Sequence, residues 1–202
     1  MTIRTDYIVW VDLETTGSDS DVCDIIEVGA VITDAKLNTL TEFSRVVTCS
    51  EEGIERILAN DIVCKMHTNS GLLEELTQGA TSSIARVDQD FVDWLSDTVK
   101  NRKDHVPLGG SGVSHFDRRF IHKQMPLADR RLSYWAYDVG VLRRTFKLAG
   151  LPWINSEDTK THRGLDDIKG HVEEMQFAMN ILGEWQEMTK YLLTGVPSVL
   201  EV

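Results

Sequence analysis

The chain has 202 residues, 42% of them hydrophobic and 26% charged, which suits one globular domain with a full core. No apolar run approaches the ~20 residues of a membrane helix, so no membrane-spanning helix is expected. The net charge of −11 argues against a protein that grips long nucleic acid through a broad basic surface, because cation–phosphate contacts drive such binding.

Ile8–Val11 is a short, β-rich apolar run and reads as a buried strand. Asp24–Thr33 and Thr39–Thr48 read as two more strands, with the polar turn Asp34–Asn38 between them, so the opening is predicted to be a three-stranded meander. Ile57–Leu76 is broadly helical, and Ile84–Asn101 carries apolar residues at helical spacing (Ile84, Val87, Phe91, Trp94, Leu95, Val99). Val106–Gly110 is a short strand ending in glycines. It is followed by a helix over Ser114–Met125, a strand over Trp135–Val139 and a helix over Val139–Ala149 that Asp138 is placed to cap. Leu165–Trp185 reads as a long amphipathic helix and the tail beyond Tyr191 as irregular. Strands first, then strand–helix alternation, predict an α/β architecture with a mixed five-stranded sheet flanked by helices.

Asp12 and Glu14 sit two apart at the end of the first strand, so their side chains share one face. Two carboxylates on one face repel unless a cation lies between them, and an oxygen-only ligand set suits Mg²⁺ or Mn²⁺. A D-x-E pair on a surface strand is more often solvated charge, but this pair closes an apolar strand, where sites in open α/β sheets form. Asp117 lies in a helix-start pattern, Ser114-x-x-Asp117, and reads as part of a capping box, a reading compatible with an acid that also faces a metal across the strand ends. Thr161–Ile168 places His162 in a loop and Asp166 and Asp167 in the first turn of the last helix, where acids also complement the helix dipole. His67 precedes Thr68-Asn-Ser-Gly71 and is placed either to meet a phosphate or to cap a helix, whereas His105 and His171 read as solvent-facing. Cys23, Cys49 and Cys64 lack metal-ligand spacing and read as reduced, packed thiols. With no signal-peptide pattern at the start, a cytoplasmic location is the expectation.

D-x-E on a first strand, Asp117 opening a mid-chain helix and H-x-x-x-x-D at His162 and Asp167 occur in the order of the DEDDh 3′→5′ exonucleases of the ribonuclease H-like superfamily, which the chain resembles from about Tyr7 to about Trp185. Within that superfamily it is most similar to oligoribonucleases. The likeness is carried by Asp12-Leu-Glu-Thr-Thr-Gly17, Ile25-Ile-Glu27, Val31–Asn38, His67-Thr-Asn-Ser-Gly-Leu72, Asp117-Arg-Arg-Phe120 and His162-x-x-Leu165-Asp-Asp-Ile168. The resemblance implies a single exonuclease domain over residues 1–202. It implies that Asp12, Glu14, Asp117 and Asp167 hold two divalent metal ions, Mg²⁺ or Mn²⁺, and that His162 is the general base. The implied substrate is single-stranded nucleic acid, in the first place short RNA, cut to nucleoside 5′-monophosphates. Leu13, Thr15, Thr16, Gly17 and His67 would meet it, with Ser111 or Ser114 adding a hydrogen bond. The resemblance also implies a homodimer whose partner chain completes the phosphate pocket, with Tyr134 as the candidate. The aromatics around Tyr134 read equally as core-facing side chains of their strand. The chain departs from the family in three places: Ser18 stands where it has a leucine, its tryptophan ahead of the His67 segment is replaced near Ile62, and the Gly109–Phe116 stretch is longer.

Overall fold

The computed structural model describes residues 2–79, 82–154 and 161–194. Strand β1 is Thr2–Ile3, β2 Tyr7–Thr15, β3 Ile25–Asp34 and β4 Thr39–Val46. β2 and β3 pair antiparallel from Tyr7 opposite Asp34 to Thr15 opposite Ile25, and β3 and β4 pair antiparallel in turn, so the predicted meander is present. Its turn is held by Asp34, whose carboxylate accepts from the backbone N–H groups of Lys36 and Asn38. β5 (Asp104–Gly110) joins β2 in parallel and β6 (Leu132–Asp138) joins β5 in parallel, which gives the order β4-β3-β2-β5-β6. The predicted five strands make this mixed sheet; a two-residue sixth, β1, pairs with the start of β5 and is too short to leave a pattern in the sequence.

β2 is buried on both faces, which is why it reads as a continuous apolar run. Val9, Val11 and Leu13 enter a core with Phe91 and Leu95 of α4 (Ile84–Thr98) and Phe120 and Ile121 of α5 (Asp117–Gln124). Ile8 and Trp10 point the other way, against Val139 of α7 (Val139–Leu148) and Ile168, Val172 and Met175 of α8 (Gly164–Thr194). By strand alternation Asp12 and Glu14 continue that second face, so the two acids lie under the start of α8.

The segment read as one helix over Ile57–Leu76 is three: α1 (Glu51–Ala59), α2 (Asp61–Asn69) and α3 (Leu72–Gly79). Asn60 breaks the first from the second, its side chain accepting from the N–H groups of Ile62 and Val63, and Gly71, at φ +75°, separates the second from the third. Ile57, Leu72 and Leu76 share one small core with Ile26, so their spacing mimics a single helix. A short helix, α6 (Pro126–Asp129), lies between α5 and β6. Asp138 does cap α7, accepting from Val141 N–H. α8 runs to Thr194, past the predicted end, and residues 195–202 of the tail lie outside the described residues. Among the described residues no helix is long and apolar enough to cross a membrane.

Candidate active site

The site lies where β2 outruns β5. The last β2 residue paired with β5 is Trp10, opposite Gly109. Beyond it, Leu13 N–H donates to Asp117 Oδ1 at 3.0 Å. Asp117, only 3% exposed, is therefore the first residue of α5 and reaches across to β2. Ser114 does not cap this helix: Phe116 is the N-cap residue and no side chain caps it. The capping reading therefore fails, while the Asp117 carboxylate does face the strand end.

The start of α8 presses onto the same strand end. A Cβ on Gly164 would lie 2.6 Å from Asp12 O, and one on Gly29 would lie 2.4 Å from Gly164 C, so only glycines allow this approach. His162, two residues earlier, is in the left-handed region at φ 55°, a conformation that a non-glycine residue holds only where its surroundings enforce it. One ligand atom each from Glu14, His162 and Asp167 lies within 4.8 Å of the others. Asp167 is buried and accepts from Thr161 N–H at 2.9 Å, whereas Asp166 is half exposed and pairs with Lys169. Of the two neighbouring acids, Asp167 is the one turned into the cluster.

Electrostatics follow from this crowding. Burial, and then the charges of Glu27, Asp167 and Asp117, push the Glu14 carboxyl up to about 8. Glu27 stands directly opposite Glu14 on β3, is itself buried, and is held by Arg163. His67 is fully buried, with its Nε2 3.0 Å from Thr15 O. A carbonyl only accepts, so Nε2 carries the proton, and Nδ1 faces Glu14 Oε2 at 3.8 Å. Burial holds the His67 pKa below the usual imidazole range.

The remaining expected contact residues divide. Leu13, Thr15 and Thr16 are buried. Thr15 Oγ1 donates to Gly17 O, and Thr16 Oγ1 accepts from Asp24 N–H, which closes the turn after the acid pair. Ser111 follows β5 and its hydroxyl sits over Gly140. Ser114 is exposed and lines a groove of about 260 Å³ along β6 together with Arg118 and Tyr134. Tyr134 is 78% exposed, so it does not fill the core face of its strand. His171, expected at the surface, is buried on the inner face of α8, beside Ile168, Val172 and Met175 of that helix's core stripe. The three cysteines are free thiols, Cys23 buried and the others partly so. Sequence reasoning missed Glu27 and Arg163 as members of the site; the available signal was a lone acid in the otherwise apolar, fully buried Ile25–Ile32 run.

Comparisons with known proteins bear on the family and the fold. The exonuclease family (RNase_T) matches residues 9–175. An oligoribonuclease from Francisella tularensis subsp. novicida is 33% identical over 175 residues, covering 85% of this chain and 93% of the relative. One from Corynebacterium diphtheriae is 36% identical over 177 residues, covering 86% and 82%. The solved structure of Escherichia coli exonuclease I in complex with a 5cy-dT13 oligonucleotide superposes with a TM-score of 0.60 at 12% identity, over 90% of this chain. The chain spans 42% of that exonuclease I chain, and the likeness there is one of fold. From the family match and the extent of the oligoribonuclease likeness, the chain belongs to the exonuclease family as a DEDD-type, oligoribonuclease-like 3′→5′ exonuclease.

Proposed function

We propose that the chain removes nucleoside 5′-monophosphates from the 3′ ends of short single-stranded oligonucleotides, oligoribonucleotides foremost, in a reaction that depends on divalent metal. The observation that carries this is the convergence of Glu14, His162 and Asp167 at one strand end, with Asp117 fixed beside them on Leu13 N–H. The donor set fits a cation: a carboxyl driven up to about 8 by burial and neighbouring acids is a carboxyl short of positive charge. Oxygen-rich ligands suit Mg²⁺ or Mn²⁺, and Asp12, Glu14, Asp117 and Asp167 would hold two such ions. When bound, the ions lower the pKa of water and stabilise charge on the phosphate and leaving oxygen.

The protein's own groups do the rest. His162, on an enforced turn at the rim of the carboxylates, takes the proton of the attacking water as general base. Asp117 and Asp167, each fixed by a backbone N–H, cannot swing away as charge develops. Leu13, Thr15, Thr16, Gly17 and the buried His67 form the wall for the terminal nucleotide. Ser111, Ser114 and Tyr134 lie farther out, and a homodimer would put the exposed Tyr134 ring at the disposal of a second copy. Product analysis of wild type and Asp167→Asn on a short RNA with Mn²⁺ tests this: monophosphates from the first and at least a hundredfold fewer from the second are expected. Equal turnover would remove Asp167 from the site.

A second reading has one observation in its favour. Ser18 is exposed and Ile62 is 80% exposed, at the positions where the resemblance has a leucine and a tryptophan. Fewer large apolar groups around the terminal bases favour tolerance of longer single strands. Turnover of a dinucleotide against a long single strand separates the two.

A further inference from the structure

We propose that Arg163 is the positioning residue of this site, a latch that holds the His162 turn and the start of α8 onto Glu27 of β3 and Glu75 of α3. The latch presupposes the roles proposed above for His162 and Asp167.

The guanidinium is shared between two elements distant in sequence. Its Nε lies 3.1 Å and 3.2 Å from the two carboxylate oxygens of Glu27, and its Nη2 2.9 Å from the first of them. Its Nη1 donates to Glu75 Oε1 at 2.9 Å and Nη2 to Glu75 Oε2 at 3.3 Å. Glu27 also accepts from Gly164 N–H at 3.2 Å, so one buried carboxylate fixes two successive residues that follow His162. Those contacts immediately follow the left-handed backbone at His162. Such a conformation needs neighbours that over-determine it, and Arg163 with Gly164 are those neighbours. The other end of the latch, Glu75, belongs to the helix that follows the His67 segment, so Arg163 joins the two segments that carry the site's histidines.

Arginine is required by this geometry. A planar fork with five N–H donors engages two carboxylates at once, whereas a lysine ammonium on a flexible stem acts as a single point. Arg163 also sets a fixed positive charge against Glu27, which would otherwise add an unpaired buried carboxylate directly across from Glu14. Removing the latch leaves Leu13, Thr15, Thr16 and Gly17 in place, because Leu13 is held by Asp117, Thr16 by the Asp24 N–H, and Thr15 by Gly17 O. The loss should therefore fall on metal affinity and kcat and spare KM.

The test measures Mn²⁺ binding by calorimetry without substrate, and kcat and KM on a short RNA, for wild type, Arg163→Gln, Arg163→Lys and Glu75→Gln. Outer contacts that orient metal ligands typically carry about 10- to 100-fold in affinity or activity. Arg163→Gln and Arg163→Lys are expected to lose Mn²⁺ affinity and kcat in that range, with KM within about threefold. Glu75→Gln keeps the Glu27 contact and is expected to fold and to show a smaller loss in the same direction. Arg86→Gln, which breaks an exposed pair on α4, is the control expected to match wild type. The latch is overturned if the Arg163 variants bind Mn²⁺ and turn over like wild type, or if only KM changes. It is also overturned if Glu75→Gln is unaffected while the Arg163 variants fail to fold. If wild type itself binds no Mn²⁺, the proposed metal-dependent function fails and the latch with it, a result distinct from equal binding by all five proteins.

Discussion

Glu14 is buried beside Glu27, Asp117 and Asp167, and its carboxyl is pushed up to about 8, against 4.5 for a free glutamate. Between those values the unfolded chain has released the proton and the folded chain keeps it, so stability falls as pH rises through that window. With chelator present, wild type is therefore expected to lose melting temperature relative to Glu14→Gln as pH rises from about 5 to about 8, and saturating Mn²⁺ should abolish the difference in slope. Parallel melting curves would mean that Glu14 is not strained by its neighbours. His162→Ala is expected to lower kcat by about 10²- to 10⁴-fold, the usual range for a general base, with Mn²⁺ affinity little changed. A large loss of Mn²⁺ affinity would make His162 a ligand instead, a role its distance from Glu14 and Asp167 allows. Asp166→Asn should bind Mn²⁺ nearly as wild type does, because that side chain is half exposed and faces Lys169.

The elements that bring these residues together differ in how plainly the sequence shows them. The two strand-borne acids and the acids in the first turn of α8 are legible from spacing, since strand and helix periodicity decide where they point. The join between Glu27 and Arg163 is not, because it spans 136 residues and depends on α8 crossing β3. The Ser114 pattern predicts a cap that the chain does not make, because Asp117 is drawn to Leu13 N–H, unpaired where β5 has ended. Asn60 and Gly71 break 57–76 into separate helices, but the apolar positions on either side converge on one core, so the spacing reads as a single helix. The crossing of α8 over β2 and β3 rests on two glycines. Gly164→Ala or Gly29→Ala is expected to lower stability by about 1–3 kcal/mol through overpacking, and to weaken Mn²⁺ binding by lifting Asp167 off Glu14. Unchanged melting and unchanged affinity in both variants would show that the helix start can shift at no cost to the site.

At the scale of the whole molecule, the sheet places its acids where the parallel strands β2 and β5 end, the position at which open α/β sheets build sites. A net charge of −11 is consistent with a site that is acidic until cations bind and with substrates that offer few phosphates. Weak salt dependence of KM on a short RNA is the corresponding expectation, and a steep dependence would point to an extended phosphate track. The mixed sheet and its flanking helices were legible from the strand and helix pattern. The exposed side of β6 was not, since nothing in Leu132–Tyr137 alone says which aromatics face out. Digestion of a 5′-labelled short RNA with Mg²⁺ or Mn²⁺, followed by product analysis, decides the matter. Stepwise shortening of the labelled strand with release of nucleoside 5′-monophosphates, absent in chelator and in Asp167→Asn, is the predicted result. Early release of the label as a mononucleotide, internal cleavage, or metal-independent turnover would contradict it.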